Sequence, residues 1–202
     1  MNQPNAFPSL REIAGLRTSP SRLDDSVLII VDAQKEYTEG VLPLPGVRAA
    51  TEQIAQLLAR ARAARTPVIH VVQHGRRGGK ICDPDGPFVA IFDELHPRAG
   101  EAVVVKSLPS SFKATTLEAE IKKTGHQNLI VVGFMTHMCV NSTVRDAAEA
   151  GYFCTVVASA CATRHLPDGH GAMIPAEVVH AANLAALRDR FAVVVDHHHD
   201  IL

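Results

Sequence analysis

Val27-Leu28-Ile29-Ile30-Val31 is apolar at every position and β-branched at four of its five. A strand with one wet face alternates apolar and polar residues. A run without alternation fits a strand buried on both faces, as in a parallel sheet covered by helices. Downstream, Pro43 to Gly46 marks a turn, and Val47, Ala50, Ile54, Leu57, Leu58 and Ala61 recur at helical spacing until Arg65-Thr66-Pro67 ends the pattern. Val68–Val72 (VIHVV) repeats the strand signature. Residues 73–100 are rich in Gly and Pro without periodicity, and are expected to form a long loop, of the kind that is either a functional cover or disordered. Val103–Val105 is a third strand. Thr115 and Glu118 have the spacing of a capping box, opening a helix that runs to about Lys123 and stops at Gly125. Then follow strand Leu129–Val132, helix Val140–Ala150 closed by Gly151, strand Phe153–Ala158, helix Ala176–Arg190 and strand Ala192–Val195.

Six apolar strands alternating with helices predict an α/β fold, a sandwich with a parallel sheet, helices on both faces and right-handed crossovers. Upstream of the first strand, residues 1–25 are rich in Pro, Ser and Asn and are expected to form an N-terminal arm. Residues 26–202 show no repeat and no linker, so a single domain is expected.

The chain has 202 residues, 47% hydrophobic and 20% charged, with a net charge of −1. That composition excludes wholesale disorder, and the charge balance leaves no excess to neutralise a phosphate backbone, so nucleic acid is not an expected partner. No stretch approaches the roughly 18 apolar residues of a membrane span. The N-terminus lacks the charged and apolar regions of a signal peptide. Cys82, Cys139, Cys154 and Cys161 form no CxxC pair, which fits reduced thiols and a cytoplasmic location.

In open α/β sheets ligands bind beyond the carboxyl ends of the strands. Asp32 follows the first strand, Lys106 the third, and Cys139 lies just past the fourth, where the next helix begins. A helix N-terminus and a nearby ammonium both favour a thiolate, so a low thiol pKa is expected at Cys139. Asp32 is placed to take the thiol proton and return it to a leaving group. Singly, a Cys at a helix start is more often a buried small hydrophobe, an Asp after a strand a turn residue, and a Lys leaving a sheet a solvated one. Together on one sheet edge they point to chemistry.

Val31-Asp32-Ala33-Gln34, Val104-Val105-Lys106 and Val132-Gly133-Phe134-Met135-Thr136-His137-Met138-Cys139-Val140 resemble, in order and spacing, the isochorismatase-like cysteine hydrolases over roughly residues 25–196. The Gly-x-x-Thr-x-x-Cys segment is the specific part. The resemblance implies a three-layer α/β/α sandwich with a six-stranded parallel sheet and Asp32, Lys106 and Cys139 as a catalytic triad. It also implies a cis peptide between Phe134 and Met135, and an oxyanion hole made by the N–H groups of Met135 and Cys139. The activity it implies is hydrolysis of a C–N bond in a small amide or ureido compound through a thioester, with no cofactor and no metal. Homo-oligomers, dimers or larger, are expected on the same ground.

True isochorismatases in that family generally lack the cysteine, which this chain keeps. Nicotinamidases resemble one another in an Asp-x-His metal set, for which this chain has Gln73-His74-Gly75 after the second strand. His70 and His74 fall too far apart along a strand to share an ion. His197-His198-His199 read as a solvated tail. Substrate contacts are expected from Gln34 and Tyr37 after the first strand, Phe112 as an apolar wall, and His137 beside the nucleophile; His165, Arg76 and Arg77 are weaker candidates. A different class of function is a redox-sensing or binding protein that oxidises a low-pKa Cys139, with Cys161 as the resolving thiol. Asp32 and Lys106 have no role in that scheme. A nucleotide-binding domain would need a glycine-rich turn after the first strand, where Asp32-Ala33-Gln34-Lys35 stands.

Overall fold

A computed structural model describes residues 7–202. Its elements are α1 (Leu10–Ile13), β1 (Ser26–Val31), α2 (Val47–Ala64), β2 (Val68–Gln73), β3 (Ala102–Lys106), α3 (Leu117–Thr124), β4 (Asn128–Phe134), α4 (Asn141–Glu149), β5 (Phe153–Ala162), β6 (Leu166–Pro167), β7 (Met173–Ile174), α5 (Ala176–Arg190) and β8 (Ala192–Val195). Six strands form one sheet in the order β3-β2-β1-β4-β5-β8, parallel at every pairing. β6 and β7 make a separate antiparallel hairpin. The chain winds outward from β1 to β3, then jumps back to place β4 beside β1. The switch in strand order therefore falls between β1 and β4, where an α/β sheet opens a crevice.

β1 is buried at all six positions, and its alternate side chains serve two cores. Leu28 and Ile30, with Ile130, Val132 and Phe134 of β4, pack against Ile54, Leu57 and Leu58 of α2. Val27, Ile29 and Val31 face the opposite layer, with Leu117 and Ile121 of α3, Val144 of α4 and Leu184 and Leu187 of α5. This is the expected α/β/α sandwich, with one long helix on one face and three on the other. β3, at the sheet edge, alternates instead: Val104 and Lys106 are buried while Val103 and Val105 are half exposed.

Several boundaries differ from expectation. β5 runs on to Ala162, and the pairing slips so that Val131 faces Val156 while Gly133 faces Cys161. The expected capping box is not formed. Thr116 is the N-cap of α3, and Thr115 Oγ1 instead accepts from the Leu117 N–H at 3.1 Å while donating to the Ser111 carbonyl. The helix expected over Val140–Ala150 begins at Asn141 and is preceded by a π-helical turn, Thr136–Val140. The expected arm, of which residues 1–6 lie outside the described residues, docks on the body. The Leu10 N–H donates to Asp189 at 2.8 Å, and the Arg11 guanidinium lies 5.0 Å from the centre of the Phe153 ring. The C-terminal histidines are likewise tethered, since Arg60 donates to the carbonyls of His198 and Ile201.

One glycine decides how close β4 comes to β1. Gly133 has φ +119°, and a Cβ there would lie 2.0 Å from the Val31 carbonyl oxygen. Only glycine permits that approach, which sets the start of the cysteine's turn beside the residue after β1.

Candidate active site

Asp32 takes the first position past β1 with φ 49°. Its N–H donates to the Val71 carbonyl and its own carbonyl accepts from Gln34, so the peptide is held on both sides and the side chain turns over the strand ends. Lys106, the last residue of β3, crosses the end of β2 to meet it, with Nζ 2.8 Å from Asp32 Oδ2. The same ammonium lies 2.6 Å from Gln73 Oε1, 3.1 Å from the Leu108 carbonyl and 3.2 Å from Cys139 Sγ. The Asp32 carboxylate, whose oxygens accept no hydrogen bond and have the Lys106 ammonium as counter-charge, also acts electrostatically on the thiol. All three side chains are buried. The structure thus brings together Asp32, Lys106 and Cys139 from three strand ends.

The electrostatics correct the expectation of a low-pKa thiol. Burial, reinforced by the Asp32 carboxylate, pushes Cys139 up to about 12, against the pull of Lys106. Burial also raises Asp32, with Lys106 working the other way, so this carboxylate holds a proton more readily than a free one. Burial disfavours the ammonium of Lys106, but Asp32 and Cys139 outweigh it and hold the lysine above its ordinary value. Lys106 thus stands between the Asp32 carboxyl and the thiol, in reach of both.

The cysteine's turn is tied down at several points. The Phe134–Met135 peptide is cis, and the Met135 carbonyl accepts from the N–H groups of Met138 and Val140 at 3.0 and 3.2 Å. Thr136 Oγ1 pairs with His180 Nδ1 of α5 at 2.9 Å, and His137 is bonded through Nδ1 to Thr163 at the end of β5. His137 is half-buried, and burial lowers its pKa, so it is neutral near pH 7.

Two of the expected substrate contacts are placed elsewhere. Gln34 has no exposed surface. Its amide accepts from the Gln73 N–H at 2.8 Å and donates to the carbonyls of Gln73 and Val89 at 3.0 and 2.7 Å. Those bonds complete the backbone pairing of the strand ends and leave no amide N–H for a ligand. Phe112 packs into the layer of α3 and α4, its ring 6.0 Å from that of Tyr152. Tyr37 is buried against Phe134 at 5.7 Å; burial together with Asp32 and Cys139 holds its phenol well above the ordinary value. It stands as a neutral wall near the triad.

The residue that sequence reasoning missed is Gln73. Its signal was present, since VIHVVQ ends in a polar residue on the strand lying between those that carry Asp32 and Lys106. The expected loop is ordered and returns to the segment that follows β1. The N–H groups of Lys35 and Glu36 donate to the carbonyls of Ala90 and Phe88, and the Phe92 N–H to the Ala33 carbonyl. Its inner end is anchored where the Cys82 N–H meets the buried Glu36 carboxylate at 3.1 Å. His70 is buried in β2, paired with Glu101 at 3.0 Å. A cavity of about 530 Å³ lies far from this site, between the N-terminal arm, α5 and β8.

Comparison with known proteins follows the same lines. The isochorismatase domain model matches residues 26–199. The chain is 37% identical to the secreted isochorismatase effector Isc1 of Verticillium dahliae, over 93% of this chain and 96% of that protein. It is 33% identical to the maleamate amidohydrolase of Pseudomonas putida, covering 72% of this chain and 75% of that protein. The crystal structure of an isochorismatase from Pseudomonas putida superposes with a TM-score of 0.92 at 40% identity, covering 98% of this chain and all of that one.

Proposed function

The chain belongs to the isochorismatase family, as a hydrolase acting on carbon–nitrogen bonds, and from that premise we propose that it works through Cys139 as nucleophile on a small amide or ureido substrate. The observation that carries this reading is a buried ion pair, Asp32 and Lys106, whose ammonium lies 3.2 Å from the sulfur of the Cys139 thiol.

Cys139 attacks the substrate carbonyl as its proton passes to Asp32, whose raised affinity for a proton suits it to that task. The sulfur–carbon bond forms, and the carbonyl oxygen takes the electron pair and rests on the N–H groups of Met135 and Cys139. One such donor is typically worth about 3–4 kcal/mol in the transition state. Asp32 then protonates the departing nitrogen, leaving a thioester. A water molecule gives its proton to Asp32, attacks the thioester, and releases a carboxylic acid and the thiol. Lys106 keeps its ammonium beside the sulfur throughout, balancing negative charge as it develops. His137 and Tyr37 line the site, His137 offering a neutral ring to a polar substrate group.

A redox switch needs a thiol of low pKa. Both Cys139 and Cys161 are pushed up to about 12, burial being the main cause. Four unpaired, buried cysteines support a reducing compartment such as the cytoplasm; among the described residues no helix is long and apolar enough to cross a membrane. The exposed Val103 and Val105 of edge strand β3 support a homo-oligomer.

The test is ammonia or amine release from a panel of small amides and ureido compounds, wild type beside Cys139→Ala, with the vinyl ether isochorismate as a further arm. Turnover of an amide that disappears in Cys139→Ala supports the reading. Isochorismate turnover that survives the substitution overturns it.

A further inference from the structure

Lys106 and Asp32 sit on strands with β2 between them, so their backbones are two strand spacings apart, about 9.6 Å. A flexible lysine side chain spanning that gap points at nothing in particular unless its end is held. The residue in register with Lys106 on β2 is Gln73. Its Oε1 makes the shortest contact to the ammonium, 2.6 Å, against 2.8 Å for Asp32, 3.1 Å for the Leu108 carbonyl and 3.2 Å for the sulfur. An ammonium has three N–H bonds. Two neutral carbonyls, from Gln73 and Leu108, occupy two of them and leave the third for the Cys139 sulfur, with the Asp32 carboxylate beside the ammonium as its counter-charge.

Gln73 has little freedom of its own. Its Nε2 donates to the His74 carbonyl at 3.1 Å, which turns Oε1 toward the lysine. Its peptide N–H and carbonyl are both held by the Gln34 amide. A branched apolar residue would fill the same place at the end of β2 and satisfy none of the lysine.

We propose that Gln73 is a positioning residue for Lys106, holding the ammonium against the cysteine sulfur through a relay that begins at Gln34. The proposal deepens the hydrolytic reading above and rests on it.

The experiment needs no substrate. Cys139 is alkylated with iodoacetamide across the neutral to alkaline range, and the modified peptide is followed by mass spectrometry. Wild type, Gln73→Leu, Lys106→Met and the double variant are compared, each with a thermal melt. Lys106→Met is expected to slow alkylation at every pH, because the thiolate loses its cation. Gln73→Leu is expected to slow it about tenfold, equivalent to one unit of thiol pKa, and to add nothing in the Lys106→Met background. A Gln73→Leu curve that overlays wild type, or an effect of equal size in both backgrounds, overturns the positioning role while leaving the triad standing. A Lys106→Met curve that overlays wild type overturns the hydrolytic reading itself. Should Gln73→Leu melt early, Gln73→Met, unbranched and of similar length, replaces it with the same expected outcomes.

Discussion

The Asp32 carboxylate and the Lys106 ammonium lie 2.8 Å apart with neither side chain exposed, although an entire strand separates their backbones. Burying two charges costs more than their attraction usually returns, so such a pair is weak evidence of stabilisation and better evidence of use. Its partner in use is the thiol 3.2 Å from the ammonium, on which the two groups have effects opposite in sign.

Asp32→Asn is therefore expected to separate reactivity from turnover. Removing the carboxylate charge that helps hold Cys139 up to about 12 lowers the thiol pKa, so iodoacetamide modifies Cys139 faster than in wild type, by about tenfold for each unit of pKa. Turnover falls about a thousandfold, because no group remains to carry the proton. Slower alkylation in Asp32→Asn would contradict the assigned electrostatics.

Gly133→Ala is expected to cost about 4 kcal/mol or to prevent folding. The added methyl would meet the Val31 carbonyl at 2.0 Å at a φ of +119°, and both strand and turn would have to move. A urea midpoint within error of wild type would show that the strands part more easily than their pairing implies.

Glu101 gives stability a defined acid limit. Burial works to raise its carboxyl, but Arg62, the Arg98 N–H and His70 hold it down to about 2. A carboxylate with a depressed native pKa stabilises above its unfolded value and loses that contribution as the pH falls through the native one. Glu101→Gln is expected to lose about 2 kcal/mol at neutral pH. Its gap from wild type in urea midpoint should close as the pH drops from about 4.5 toward 2; a gap that stays open would place the Glu101 effect outside its charge.

Phe112→Ala is expected to lower stability by about 2 kcal/mol through lost packing on Tyr152. For whichever amide is turned over, KM should stay within about twofold of wild type, as for a residue that makes only packing contacts. A large rise in KM would return this ring to the substrate site.

The fold was legible because β-branched runs such as VLIIV leave few alternatives, and because helix Ala176–Arg190 and strand Ala192–Val195 have sharp ends. Asp32, Lys106 and Cys139 were legible because each follows such a run closely. What failed depended on side chains acting on backbone. Gln34 looked like a ligand contact because it is polar and two residues past Asp32, yet its amide takes the place of a neighbouring strand. Thr115 and Glu118 had the spacing of a cap, but Thr115 turned to Ser111 instead. The π-helical turn at Thr136–Val140 carries no periodic signal, and the thiol's raised pKa depends on a depth of burial that local sequence does not encode.

The loop over the site is pinned at Gly75 and Cys82, which share a hydrogen bond, and again along residues 88–92, leaving 76–81 and 83–87 as two spans between anchors. Insertions, deletions and substitutions in those spans can reshape the rim while the anchors keep Asp32 and Gln73 where they are. Those two spans can therefore be rewritten at little cost to the strand ends, which leaves this stretch of surface free to diverge while the framework beneath it stays fixed.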